Sequence, residues 1–431
     1  MSAPVTAAPP PGDAAPAAPG RKRRRRRSVR PRNVALGAGL LLVLLSTVRV
    51  ISGAEDITSS GTFGAALRLA VPIGLAGLGG LWAERAGIVN IGLEGMLILG
   101  TWFGAWAGFY YGPWVGVGAA IAAGALGGLL HALATVTFGV DHVVSGVAIN
   151  LLGGGIARYL SSIAYGGDNR PPGSGQTQSP TVEALPTVSL PILSDGPDLL
   201  GRLEDQGWFL LSDSAGILRG LTGDVSLLTL LAVLLIPFSV FVLWRTAFGL
   251  RLRSVGENPV AADSLGVAVY RLKYAAVVIS GALAGLGGAA LVIGSIYREG
   301  QTAGRGFIGL AAVIFGNWRP GGLAAGAGLF GYADAIQLRA GGAVRGLLLF
   351  VALLLVVVAI RQAILRKIPL AVAALLIGGA FFLWYATVDS VPSQLVGFTP
   401  HLVTLLVLAV ASQRLRPPAA DGQPYRRGQQ T

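Results

Sequence analysis

The side chains that could do chemistry in this chain of 431 residues are few, and their spacing excludes more reactions than it supports. The histidines are His131, His142 and His401; no two lie four apart around a glutamate, as a zinc-protease helix requires. Cysteine is absent, which removes disulfides and thiolate metal sites. The lysines Lys22, Lys273 and Lys367 follow Arg21, Leu272 and Arg366, so none completes the Gly-Lys-Ser/Thr of a phosphate-binding loop, and the chain cannot bind ATP by that route. No Gly-x-Ser-x-Gly elbow occurs. Asp141-His142 is at most half a metal site and reads better as a cap at a helix start, so no metal is expected. What remains is a set of polar residues within or beside long apolar runs: Glu84, Arg85, Asn90, Glu94, Asp141, His142, Asn150, Arg158, Asn317, Asp334 and Gln337.

The elements that hold these residues are set by composition. With 53% hydrophobic and 12% charged residues, the chain lacks the polar surface that a water-soluble globule of this size needs, so its solvent is lipid. Apolar runs of about twenty residues suit helices rather than barrel strands. Glycine spaced by four, at Gly100, Gly104 and Gly108 and at Gly281 and Gly285, lets helix backbones approach closely. The expected fold is all-α, a polytopic membrane bundle of about 10–12 transmembrane helices with broken helices. Spans are assigned to 34–51, 63–82, 86–111, 113–138, 140–165, 225–244 and 273–297, a broken region 305–338, then 345–361, 368–388 and 399–413. Ala76-Gly-Leu-Gly-Gly80 echoes Ala284-Gly-Leu-Gly-Gly288 on a span of opposite direction, the pattern of an inverted repeat.

Residues 1–32 read as a disordered basic cytoplasmic tail: Ala and Pro first, then nine cations from Arg21 to Arg32. A cationic cluster beside a membrane helix holds that end inside and touches anionic lipid; nucleic acid is not the expected partner. The run from Val34 to Ile51 is long for a cleaved signal and reads as a signal anchor. Alternation then makes 33–165 the first bundle half and 166–224 an external loop, with eight acids against three arginines. Residues 225–338 form the second half, with 245–272 in the cytoplasm, and 397–431 supply the last helix and a cytoplasmic tail. Arg339 and Arg345 are the exceptions to this charge pattern.

Within 245–272, Asn258 suits an N-cap, Pro259 the first helical position and Gly266 the left-handed position after a helix, so 259–265 is expected to be a short rigid helix. Capping alone leaves two readings, a connector lying on the membrane or a lever seated in a partner. From Glu84 to Glu94, two acids, an Asn and two glycines stand where a helix should enter the membrane, the pattern of an interrupted helix at a binding site or gate. Glu84 and Arg85 read as an interfacial helix end. Asn90, Glu94, Asn150, Asn317 and Asp334 are the translocation-path candidates. Glu94 and Asp334 are also the carboxylates that an ion-gradient-driven secondary transporter would need, and that class is the alternative.

The segment Leu81 to Met96 resembles the signature of permease subunits of nucleoside and simple-sugar ABC importers, in the branched-chain amino acid and ribose permease superfamily. Gly249 to Gly266, Gly304 to Pro320, Leu190 to Asp195 and Gly422-Gln-Pro-Tyr425 are similar to that family in the same order, so the resemblance spans roughly residues 60–338 and 397–427. It implies a plasma-membrane permease that moves nucleosides, then simple sugars, by alternating access. Gly256, Glu257, Asn258, Pro259, Ala261, Ala262, Leu265 and Gly266 would belong to the helix that couples to the ATPase. It also implies three partners: an ATPase chain with two cassettes, which carries the ATP and Mg, a second homologous permease, and an external substrate-binding lipoprotein. No cofactor is implied on this chain. The long basic N-terminus and an inserted helix pair at 345–390 depart from the pattern.

Overall fold

The computed structural model describes residues 31–167, 170–196, 198–339, 341–388 and 415–426. The expected disordered tail and the span 399–413 lie outside the described residues. The chain divides into Met1–Leu41 and Leu42–Thr431. The described part of the first unit is the start of α1 (Pro31–Ser52), and the second unit holds every other described element.

Within the second unit the order is α2 (Ser60–Arg85), α3 (Leu93–Tyr111), α4 (Pro113–Ala132), a wider turn at Leu133–Thr137, and α5 (His142–Ala164). The connection after α5 carries β1 (Thr187–Val188), α6 (Leu199–Glu204), α7 (Leu211–Thr222) and β2 (Val225–Ser226), the two strands pairing antiparallel. Then come α8 (Leu227–Arg245), α9 (Ala247–Glu257), α10 (Pro259–Ser264), α11 (Val269–Val292), α12 (Arg305–Phe315), α13 (Pro320–Gln337), α14 (Gly341–Ile364) and α15 (Ile368–Thr387). The fold is an all-α bundle.

Among the described residues, eight helices are long and apolar enough to cross a membrane: the Ala35–Ser52 part of α1, α2, α4 with its extension to Thr137, α5, α8, α11, the Ala343–Ile364 part of α14, and α15. This is fewer than the sequence assignment. α3 and α13 have 19 and 18 residues but are diluted by glycine and polar side chains, and α12 has only 11. They are core helices whose neighbours, more than their own hydrophobicity, hold them. The expected span 86–111 starts later, at Leu93, because residues 86–92 are not helical.

The centre of the unit is α2 and α11, which pack against each other. The two copies of the Ala-Gly-Leu-Gly-Gly echo are buried there, at mid-helix. α11 also meets α4 through glycines four apart on both helices. A Cβ on Gly281 would lie 2.2 Å from the Gly124 carbonyl oxygen, and one on Gly124 would lie 2.2 Å from that of Gly281. Where lipid removes the hydrophobic drive for helix association, such backbone contact supplies the dispersion that holds helices together. α14 and α15 pack on each other, and Leu348 and Leu349 of α14 join Leu45, Val48 and Ile57 in a separate apolar cluster. Arg345, an exception to the charge pattern, lies over the Tyr385 ring at 5.0 Å and donates to the Tyr385 carbonyl at 3.3 Å.

Three of the eight acids of the 166–224 segment hold it down. Asp213 accepts from Thr58 at 2.6 Å and pairs with Arg49 at 2.7 Å. Glu204 accepts from the Ser60 backbone at 2.8 Å and, with Asp198, pairs with Arg219.

Candidate functional site

Residues 86–92 interrupt the path from α2 to α3, and nearly every polar residue singled out in the sequence is bonded to this break or to elements that touch it. α2 ends at Arg85, and Gly87, at φ +81°, turns the chain in the left-handed region that favours glycine. Asn90 is fully buried; its Nδ2 donates to Ser280 Oγ on α11 at 2.9 Å. Asn150 of α5 clasps the end of the break from outside. Its Oδ1 accepts from the Gly95 N–H at 2.7 Å, and its Nδ2 donates to the Ile91 carbonyl at 3.0 Å. The Asn side chain thereby satisfies an orphan donor at the start of α3 and an orphan carbonyl of the break.

Glu94 crosses the bundle. Its two oxygens accept from the backbone N–H groups of Gly304 at 3.0 Å and Gly306 at 2.7 Å, at the N-terminus of α12. An acid there satisfies otherwise unpaired donors and meets the positive end of the helix dipole. Asp334 of α13 pairs with Arg305 at 3.3 Å, also at the start of α12. Two of the candidates therefore converge on one helix start. Asn317 lies away from them, in the left-handed turn between α12 and α13 (φ +51°), where its Oδ1 accepts from the Arg416 N–H at 2.8 Å.

Glu84 and Arg85 end α2 but are not the simple interfacial markers expected of them. Glu84 is only 3% exposed and accepts from the Trp318 indole, while Arg85 donates to the Trp318 carbonyl and lies 5.3 Å from the Trp244 ring. They anchor the α12–α13 turn to the break. The histidines were weighed only as metal ligands or caps, and this part of the site was missed. His131 Nε2 lies 3.2 Å from the Val89 carbonyl, and His142 Nδ1 accepts from the Val89 N–H at 3.3 Å, so α4 and α5 grip one residue of the break from both sides. Their placement in two successive spans was the available signal. Asp141 is the expected cap, accepting from the N–H groups of Val143 and Val144 at 2.9 and 3.1 Å. No cluster of three or more metal-ligating side chains occurs among the described residues.

Against the break lies the α9–α10 corner. Asn258 Oδ1 accepts from the Ala261 N–H at 2.9 Å, Pro259 opens α10, and Gly266 at φ +79° follows it, as the sequence led one to expect. Ala262 packs inward with Val255 and Val269, whereas Val260, Ala261 and Leu265 face outward, Leu265 at 85% exposure. Gly256 sits so close to α2 that a Cβ on it would lie 2.3 Å from the Arg85 carbonyl oxygen. The tail 415–426 is laid over this junction. The Ala420 N–H donates to the Gly256 carbonyl at 2.9 Å, the Ala419 N–H to Glu257 at 3.4 Å, and the Tyr425 ring lies 5.6 Å from that of Tyr270. Burial there pushes the Asp421 carboxyl up to about 7 despite the Gly422 N–H, Lys273 and Arg85 pulling the other way. The arrangement holds no group of three or more metal-ligating side chains among the described residues. It can transmit motion from an exposed helix, through a glycine contact, to an interrupted helix at the bundle centre.

The family described as branched-chain amino acid transport system / permease component matches residues 62–360, taking in most of α14, beyond the first stretch of the resemblance (60–338) but short of the second (397–427). The guanosine ABC transporter permease protein NupQ of Bacillus subtilis is 35% identical over 283 residues, 64% of this chain and 81% of the relative. The nucleoside ABC transporter permease protein NupC of Lactococcus lactis is 31% identical over 363 residues, 82% of this chain and 93% of the relative. The putative glucose ABC transporter permease protein TsgC13 of Haloferax volcanii is 35% identical over 286 residues, 65% and 78%. No solved structure matches significantly. With an all-α bundle of membrane-length helices and a family match across most of its length, this chain belongs to the branched-chain amino acid transport system permease family.

Proposed function

We propose that this chain is the membrane subunit of an ATP-binding-cassette importer that moves nucleosides, or failing those simple sugars, inward by alternating access. ATP hydrolysis would reside on a separate chain with two cassettes. A second homologous permease would complete the pore, an external lipoprotein would deliver substrate near residues 166–224, and both termini would be cytoplasmic.

The observation that carries the reading is α10. It is a two-turn helix fixed at both ends, pressing its inner face on α9 and α11 and presenting Val260 and Leu265 outward. Val260 and Leu265, held outward on a short rigid helix, offer apolar contacts to a partner's cleft. Family membership and relatives named for nucleoside, guanosine and glucose transport support the same reading. The carboxylates that a gradient-driven transporter would need are already engaged, Glu94 by two backbone donors and Asp334 by Arg305.

The test is gentle purification of tagged protein from its native membrane, with mass spectrometry of what accompanies it. A two-cassette ATPase and a second permease are expected. Recovery of the chain alone, still catalysing uptake into liposomes on an ion gradient without ATP, would replace this reading with the secondary-transporter one.

A further inference from the structure

A cavity of about 370 Å³ opens between α3, α5 and the connection at residues 297–302. It lies at the low end of the size range of small-molecule sites. It is separate from the α10 corner, and its lining is unlike the helix face that surrounds it. α5 turns Leu151, Leu152, Tyr159 and Ile163 outward, all more than half exposed. Among them stands Arg158, its side chain 74% exposed, paired with Glu299, 47% exposed. Arg158 lies about 9 Å short of the C-terminal end of α5 at 1.5 Å per residue. A charge in a membrane span faces a cavity or pairs with an opposite charge, and Arg158 does both.

The polar groups specify a ligand chemistry. Arg158 places Nη2 at 2.6 Å and Nε at 2.7 Å from one oxygen of Glu299, Oε1. That leaves Oε2 as an acceptor beside a guanidinium that still has donors, which is the complement of two adjacent hydroxyls. Gln301, also in the lining, has its Oε1 engaged by the Arg298 N–H at 2.7 Å, while its buried Nε2 donor has no partner among the described residues. Asn150, by contrast, has both amide atoms bonded to the break and serves as wall. The one aromatic residue in the lining, Tyr297, is 2% exposed, so no ring face is offered to stack a nucleobase. Arg158 is neutralised by Glu299, and Arg298 is the one further charge in the lining.

We propose that this cavity is a binding station for a neutral sugar ring, read through its vicinal hydroxyls by Arg158, Glu299 and Gln301, and indifferent to any base the ring carries. The inference rests on the importer reading for its substrate class. An exposed ion pair contributes little to stability, so a ligand can open or share it at small cost.

Equilibrium binding to the complete complex in nanodiscs, without ATP, tests it with four probes: uridine, D-ribose, 2′,3′-dideoxyuridine and uridine 5′-monophosphate. Uridine and ribose are expected to bind, and the dideoxynucleoside at least tenfold more weakly. Glu299→Gln should bring that ratio near one. Gly155→Leu is a second variant; Gly155 lines the cavity and an added Cβ would meet nothing within 4 Å, so it fills the space without a clash and should weaken uridine and ribose alike. Equal binding of uridine and its dideoxy analogue, tighter binding of the monophosphate, or a preference that survives Glu299→Gln would overturn the assignment. Failure of the importer reading shows separately, as absence of the ATPase from the complex or of ATP-driven uptake.

Discussion

At the scale of single residues, Glu94 and Asn150 show buried polar side chains of the bundle tied to backbone groups. Glu94 is the clearest case, since both its oxygens accept amide hydrogens at the start of α12. Removing an acceptor from a buried donor costs about 1–3 kcal/mol for each donor left alone. Glu94→Ala should therefore destabilise the chain by about 3 kcal/mol, and Glu94→Gln, which can still accept from one amide, by roughly half as much. Thermal unfolding of the purified protein in detergent would order the three variants. If Glu94→Ala melted with the wild type, the α12 anchor would be wrong. Glu94→Gln should also leave ATP-driven uptake in place, whereas a proton-coupled carrier would lose transport.

At the scale of elements, motion must pass through the junction of α9, α10, the break and the tail. Asn258→Ala removes the α10 N-cap at a cost of about 1 kcal/mol. Gly256→Ala drives a Cβ into the Arg85 carbonyl, backbone that has no rotamer with which to retreat. Both substitutions should lower substrate uptake per ATP hydrolysed, with the chain still inserted and the partner ATPase still active; unchanged stoichiometry would show that α10 does not couple. The tail over this junction should respond to pH. Burial raises Asp421 from its ordinary 3.8 to about 7, so the docked tail prefers the neutral acid. Its docking is then strongest below the free value of 3.8 and weakens as pH climbs through 7. Lys273 and Arg85, the cations facing it, reduce the effect without reversing it. Protection of the amides in residues 415–426, corrected for the intrinsic rise of exchange with pH, should be lower at about pH 8 than at about pH 6, on either side of the docked value, and Asp421→Asn should reduce that difference.

At the scale of the whole molecule, sidedness decides whether the separate pieces make an importer. The chain contains no cysteine, so single cysteines report without background. Ile192 in the 166–224 segment and Arg271 at the start of α11 are both exposed. In intact cells a membrane-impermeant maleimide should label Ile192→Cys and spare Arg271→Cys until the membrane is opened. The reverse pattern would invert the topology and place α10 on the face away from any cytoplasmic ATPase. The charge distribution favours the first outcome, with basic residues such as Arg251, Arg253 and Arg271 on the side assigned to the cytoplasm.

What could be read without coordinates was what depends on neighbours along the chain. Span length and apolarity are sums over about twenty consecutive residues, so α2, α5, α8 and α11 were visible. The caps of α10 and α5 are set by residues within three positions, so Asn258, Gly266 and Asp141 were visible too. The interruption near residues 86–92 showed as polar and glycine residues where a helix should continue. Tertiary structure alone decided which carboxylate meets which donor. Glu94 reaches Gly304 and Gly306, Glu84 reaches Trp318, and two histidines close on Val89. It also decided that the tail lies on Gly256 and that Arg158 finds Glu299 at the mouth of a cavity. Periodicity tells which face of a helix is apolar, but a bond between residues far apart in sequence depends on crossing angle and depth. Glycine permits the close approach without naming the helix that makes it.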